Sequence, residues 1–189
     1  YGRDQSLDPM RAIFFRTTTA LMFFLPLIIG TMVFLIPVVV YYFIPKFSGG
    51  IVSMKILILG YFFIAISELA PTVIFTINKQ KSLIPLFGIL LGFGAILNYV
   101  FIRAGWGIEG VAAATSIAYF LYFIVLFSYA FKRIASMKAL AKMMFSIFAM
   151  FVYLAGWVMI IECFVKAPCF LTESLMKCAA IIIVLSPLV

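Results

Sequence analysis

Glu68 is the residue whose type and place most invite chemistry. It stands near the middle of an apolar run, one turn before Pro71. A charge at the centre of a bilayer costs about 2.5–3.5 kcal/mol on insertion scales, so such a group usually faces a cavity or a partner. Two readings follow. Glu68 is a carboxylate that couples protons or cations or contacts a polar headgroup or sugar, or it is a protonated side chain hydrogen-bonded to a neighbouring helix. Asn98 and Arg103 form a second polar position, at the end of another apolar run. A guanidinium matches phosphate oxygens in bidentate fashion, so Arg103 can attract an anionic headgroup or pyrophosphate. It can equally serve as an interfacial anchor. Gly105, Gly107 and Gly110 match G-x-G-x-x-G, the spacing of a dinucleotide-binding turn. That fold needs a short strand before the glycines and an acid about 20 residues after them. Here a membrane-length run precedes them, and no Asp or Glu lies between Glu109 and Glu162, so the dinucleotide reading fails.

The elements that must position these residues are transmembrane helices. Of 189 residues, 67% are hydrophobic and 11% charged, too few polar groups to cover a water-facing surface. Crossing a hydrocarbon core of about 30 Å takes roughly 20 apolar residues in a helix. Five runs reach that length: about 17–44, 54–77, 82–102, 108–131 and 140–164. A sixth, about 176–189, is cut short. Runs this long are not buried strands. The expected fold is all-α, a polytopic bundle of about six transmembrane helices. The first sixteen residues are polar and contain no signal peptide; the chain reads as an internal or C-terminal piece of a larger protein.

The net charge of +8 resides in short clusters between apolar runs, the pattern of loop anchors and not of a nucleic-acid stripe. Arg3, Arg11, Arg16, Lys79, Lys81, Lys132, Arg133, Lys138 and Lys142 fall on one side of the expected topology. Lys46, Lys55, Arg103, Lys166 and Lys177 fall on the other. Nine against five places the N-terminal segment in the cytoplasm by the positive-inside rule. Tyr41, Tyr42, Tyr99 and Trp106 lie at expected external ends, where amphipathic rings sit at headgroup level. Pro26, Pro37 and Pro71 lie inside runs and favour kinks, whereas Pro85 suits the first turn of a helix. Glu162, near an external end, can snorkel towards water. Three cysteines offer no metal spacing. Cys163 and Cys169 flank an expected external loop, where a disulfide competes with idle thiols. No cofactor or metal is expected.

The stretch from Asn98 to Thr115 reads as a tight external hairpin between antiparallel helices, with glycine permitting the turn. Gly110, Ala113 and Ala114 then offer a small face for helix packing, and Gly88 and Gly92 form a similar G-x-x-x-G face. This stretch, N-x(4)-R-x-G-x-G-I-E-G-V-A-A-A-T, resembles the signature of polysaccharide-biosynthesis exporters, the Wzx-type flippases of the multidrug/oligosaccharidyl-lipid/polysaccharide superfamily shared with MATE exporters. Upstream, YYFIPKFSGGIVSMKILILGYFF is similar to the loop and helix preceding that signature. The resemblance covers roughly residues 1–135. It implies twelve or fourteen helices in two lobes around a cavity, of which this chain carries the last four of the second lobe. Residues 136–189 then supply an optional final pair, and the family's even helix count again puts the N-terminal segment in the cytoplasm.

Three functions compete. The first is a flippase of the cytoplasmic membrane that moves a polyprenyl-linked oligosaccharide by alternating access. Its partners are the lipid bilayer, that substrate and the polysaccharide polymerase machinery; it breaks no bond and is not an enzyme. The second is a MATE-like ion-coupled exporter of small molecules, which needs acids in its cavity and here has only Glu68. The third is a membrane enzyme of glycan assembly, which the short external loops disfavour.

Overall fold

A computed structural model describes residues 7–76, 78–132, 136–165 and 170–186. Arg3, Arg133 and Lys166 of the charge pattern lie outside these residues. So do Ile77, the last residues of the sixth expected helix, and Cys169 with its candidate disulfide to Cys163. The described chain is an all-α bundle: α1 (Leu7–Phe43), α2 (Ile51–Ser67), α3 (Leu69–Thr76), α4 (Leu83–Arg103), α5 (Gly107–Phe131), α6 (Met137–Phe164) and α7 (Phe170–Leu185). Taken together, α2 and α3 form one span, and with α1, α4, α5 and α6 they make five spans long and apolar enough to cross a membrane.

Two helices begin more than a turn before their apolar runs. α1 starts at Leu7, not near Thr17, because its polar first turns still bury one face. Phe14 is buried against Phe127 and Phe131, with ring centroids 5.5 and 6.1 Å away, while Arg11 covers Phe15 from outside at 5.8 Å. α7 starts at Phe170, not near Met176. Its first turns are held by a Glu173–Lys177 pair at 2.6 Å, four residues apart. α1 continues through Pro26 and Pro37 as one helix. The second span is instead interrupted for one residue at Glu68, whose backbone stays helical (φ -61°, ψ -17°). Pro71 has no amide proton for the carbonyl of Ser67 and its ring crowds that carbonyl, so the helix is interrupted there.

The core is a ladder of phenylalanines across α1, α2, α5 and α6. Phe131, Phe127 and Phe123 stack one turn apart along α5, and Phe63 of α2 joins them at 5.7 Å from Phe123. Phe63 also meets Phe120 at 4.8 Å and Phe151 of α6 at 4.5 Å. Such pairs contribute about 0.5–1.5 kcal/mol each beyond the area they bury, and they fix which helix faces turn inward.

The tightest crossing is between α2 and α5. A Cβ on Gly60 would stand 2.4 Å from the Ser116 hydroxyl oxygen and 2.9 Å from the Ser116 Cα. The Ser116 hydroxyl lies 3.1 Å from the Ile56 carbonyl oxygen of α2 and 2.9 Å from that of Ala112. α7 lies against α1, where Ile181 fills the space over Gly30. α4 is different. Only 6% of its span is buried, against 28–39% in the other four, and it leans on α5 alone to any extent.

Candidate functional site

The interruption in the second span sets the site. Glu68 follows the last residue of α2, with its amide still donating to the Ile64 carbonyl at 3.1 Å. Its side chain is exposed on the flank of the bundle and has no ion-pair partner among the described residues. It stands within electrostatic reach of the Tyr122 phenol on α5.

Tyr122 belongs to a groove of about 530 Å³ between α2, α4 and α5. Phe87, Leu90, Leu91 and Ala95 of α4 form one wall, and Thr115, Ala118, Tyr119 and Tyr122 of α5 form the other. Tyr122 stacks on Phe87, centroids 5.9 Å apart and planes 17° from parallel. The walls come together at Gly94, where a Cβ would make ordinary van der Waals contact with Ala118 Cβ at 3.5 Å. At the far end Asn98 joins the lining, with the Thr115 hydroxyl donating to its side-chain oxygen over a long 3.5 Å. The groove is apolar with a few hydroxyls and one amide, the usual make-up of a binding cleft.

Of the residues singled out in the sequence, Asn98 lines this groove and Glu68 lies beside it. Arg103 does not. Its Nε donates to the Tyr99 hydroxyl at 3.0 Å and its guanidinium lies 5.5 Å from the Tyr99 ring, on an exposed helix end. The glycines divide into two groups. Gly105 has φ +81°, and the bonds from its amide to Ile102 O (3.1 Å) and from Trp106 to Phe101 O (3.3 Å) complete a Schellman end to α4. Trp106 packs edge-on to Phe101 at 5.1 Å, the apolar contact that accompanies this motif. Gly107 has φ +57° and opens α5, while a Cβ on Gly110 would strike Trp106 Cβ at 2.5 Å. Ala114 is fully buried. At Gly88 and Gly92, by contrast, a Cβ would meet nothing within 4 Å, because both lie on the uncovered side of α4.

Sequence reasoning missed Thr115, Tyr119 and Tyr122. Their spacing of four and three residues was the available signal, since it sets them on one face of α5. It also missed the ion pair between Lys55 near the start of α2 and Glu162 near the end of α6. Glu162 therefore does not simply snorkel; it ties α6 to the four-helix part. Nothing local foretells that contact, because 107 residues separate the partners. Compared with known protein families, characterised proteins and solved structures, the chain has no match.

Proposed function

We propose that the chain is part of a transporter that flips a lipid-linked oligosaccharide across the cytoplasmic membrane by alternating access, with the start of α1 on the cytoplasmic side. The observation that carries this reading is the gathering of Asn98, Thr115, Tyr119 and Tyr122 in one otherwise apolar groove, with Glu68 at its flank. An apolar cleft with sparse hydroxyls and one carboxylate suits an amphiphile that is moved and not cut. The proline-weakened point in the second span beside it supports the same reading, since interrupted helices commonly line transport sites. The resemblance of residues 98–115 to the exporter signature points the same way, and the basic residues of the α1 start, the α3–α4 turn and the α6 start favour the orientation.

The test is translocation of a polyprenyl-pyrophosphate oligosaccharide in proteoliposomes containing the full-length protein. Exposure of the sugar to an enzyme added outside is expected to rise above that of empty liposomes. It is expected to fall at least tenfold with Glu68→Gln. Background-level exposure with the wild-type protein would remove the reading.

The Glu68 carboxylate, with no ion pair among the described residues, also favours a MATE-like exporter of small cations. Proton-driven efflux of a cationic dye from the same proteoliposomes, without oligosaccharide movement, would select that alternative.

A further inference from the structure

The turn between α3 and α4 is built more carefully than a connector requires. Asn78, at φ 55°, closes α3: its amide donates to Phe75 O at 3.0 Å and that of Lys79 to Ile74 O at 3.1 Å. Residues Gln80–Ser82 then form a short 3-10 turn. The Ser82 hydroxyl donates to the Lys79 carbonyl at 2.6 Å and lies 2.6 Å from the Tyr129 hydroxyl of α5. The turn is thus fixed to its neighbouring helix before any ligand arrives. It frames a recess of about 410 Å³ lined by Asn78, Lys79, Gln80, Lys81, Ser82 and Tyr129.

Two ammonium groups stand in this lining, and neither has a carboxylate partner among the described residues. Lys132 follows Tyr129 by one turn of α5 and adds a third cation on that side. The recess also adjoins the start of α4, a 21-residue helix whose dipole is positive at that end. The side-chain carboxamides of Asn78 and Gln80, two of the lining residues, add neutral donors. Because it joins the ends of two spans, the turn lies at headgroup depth, where the abundant anion is phosphate.

We infer that the α3–α4 turn is a binding site for a phosphate group, with Lys79 and Lys81 as its charged ligands. Phosphate offers several acceptor oxygens to a cluster of donors, and basic pockets between transmembrane helices are where anionic headgroups bind. The site is independent of the transport reading, because it lies at the membrane edge and shares no residue with the α2–α4–α5 groove.

The experiment uses the full chain purified in detergent, titrated with phosphatidylglycerol, phosphatidylcholine and inorganic phosphate and read by native mass spectrometry. Phosphatidylglycerol is expected to be retained over phosphatidylcholine. The K79Q/K81Q variant is expected to lose roughly thirtyfold in affinity, the worth of two lysine charges at a membrane surface. K79R/K81R keeps the charge and is expected to keep the lipid, which separates lost recognition from a damaged fold. Lys46→Gln, at the opposite end of the bundle, serves as a control with no effect. Displacement of the lipid by millimolar inorganic phosphate at matched ionic strength identifies free phosphate as a sufficient ligand; retention identifies the lipid headgroup. Equal retention by wild type and K79Q/K81Q, or no preference for phosphatidylglycerol in the wild type, overturns the assignment.

Discussion

Replacing Gly60 by alanine tests whether the α2–α5 crossing fixes the bundle. The new Cβ would stand 2.4 Å from Ser116 Oγ, 2.6 Å from Ser116 Cβ and 2.9 Å from Ser116 Cα. Carbon atoms rest at about 3.5–4.0 Å, so the helices must separate by roughly 1 Å at this point. Rotating a side chain cannot relieve the contact, because one of the atoms is backbone. A gap of that size forfeits a quarter to a half of the dispersion energy of each contact it opens. It also stretches the 3.1 Å bond from Ser116 to the Ile56 carbonyl beyond bonding range. Overpacking of this kind costs about 1–3 kcal/mol, and at about 2–4 °C per kcal/mol for a chain of this size the expected loss is roughly 2–12 °C in Tm. Thermal unfolding in detergent, followed by tryptophan fluorescence, reads it. Gly88→Ala is the control: its Cβ meets nothing within 4 Å, and alanine favours a helix over glycine by about 1 kcal/mol. Gly60→Ala with Ser116→Gly should recover part of the loss. Equal melting of Gly60→Ala and Gly88→Ala would refute the reasoning.

Neutralising either member of the Lys55–Glu162 pair, K55Q or E162Q, should lower Tm, and the double variant should be no worse than the poorer single. The coupling expected for this half-exposed pair is about 0.5–1 kcal/mol, and strict additivity in a double-mutant cycle speaks against it. Gly105→Ala forces a side chain onto φ +81°, costing about 1–2 kcal/mol. Gly49→Ala, at an uncrowded site, should melt like the wild type, and indistinguishable curves for the two would exclude the Schellman end as a source of stability. Phe63→Ala removes the ring that joins α2 to α5 and α6 and should cost about 3–5 kcal/mol. Ile89→Ala, on the uncovered side of α4, should leave denaturation in detergent unchanged; similar losses from both would mean that the phenylalanine ladder does not hold the bundle.

Much of the fold was legible because lipid writes it in run lengths. Five apolar stretches became five spans, and of the three prolines expected to kink their runs only Pro71 stands beside an interruption in the described helices. Run length cannot register turns that bury only one face. The first turns of α1 carry Arg11 and Arg16 beside Phe14 and Phe15, so they read as polar prelude although Phe14 is core. The same blindness delayed α7 to Met176, past the polar turn that holds Glu173 and Lys177. The hairpin at Gly105 was readable because a left-handed turn demands glycine locally. The crossing at Gly60 was not, since a lone glycine signals close packing only when its partner is known, and Ser116 comes from another helix. Gly88 and Gly92 matched a packing motif yet stand open, whereas Gly60 is filled without one.

The same distinction accounts for where the groove lies. α2 and α5 are locked together by Gly60 against Ser116 and by Phe63 among the rings of α5 and α6. Moving one against the other would break many contacts at once. α4 has no such lock. It meets α5 along one face, through Gly94 against Ala118, Phe87 stacked on Tyr122, Thr115 on Asn98 and, at its start, Ser82 on Tyr129, and leaves its remaining faces uncovered. Elements with few buried contacts yield at the lowest free energy. The groove lies between a wall covered on several faces and one covered on a single face, and it is along this seam that Asn98, Thr115, Tyr119 and Tyr122 are placed. Polar groups in the Phe63 ladder would have to be satisfied inside a closed, dry interior; on the seam they face an open groove. The close crossing of α2 and α5 thus supplies one wall of the site, and the single covered face of α4 supplies the other.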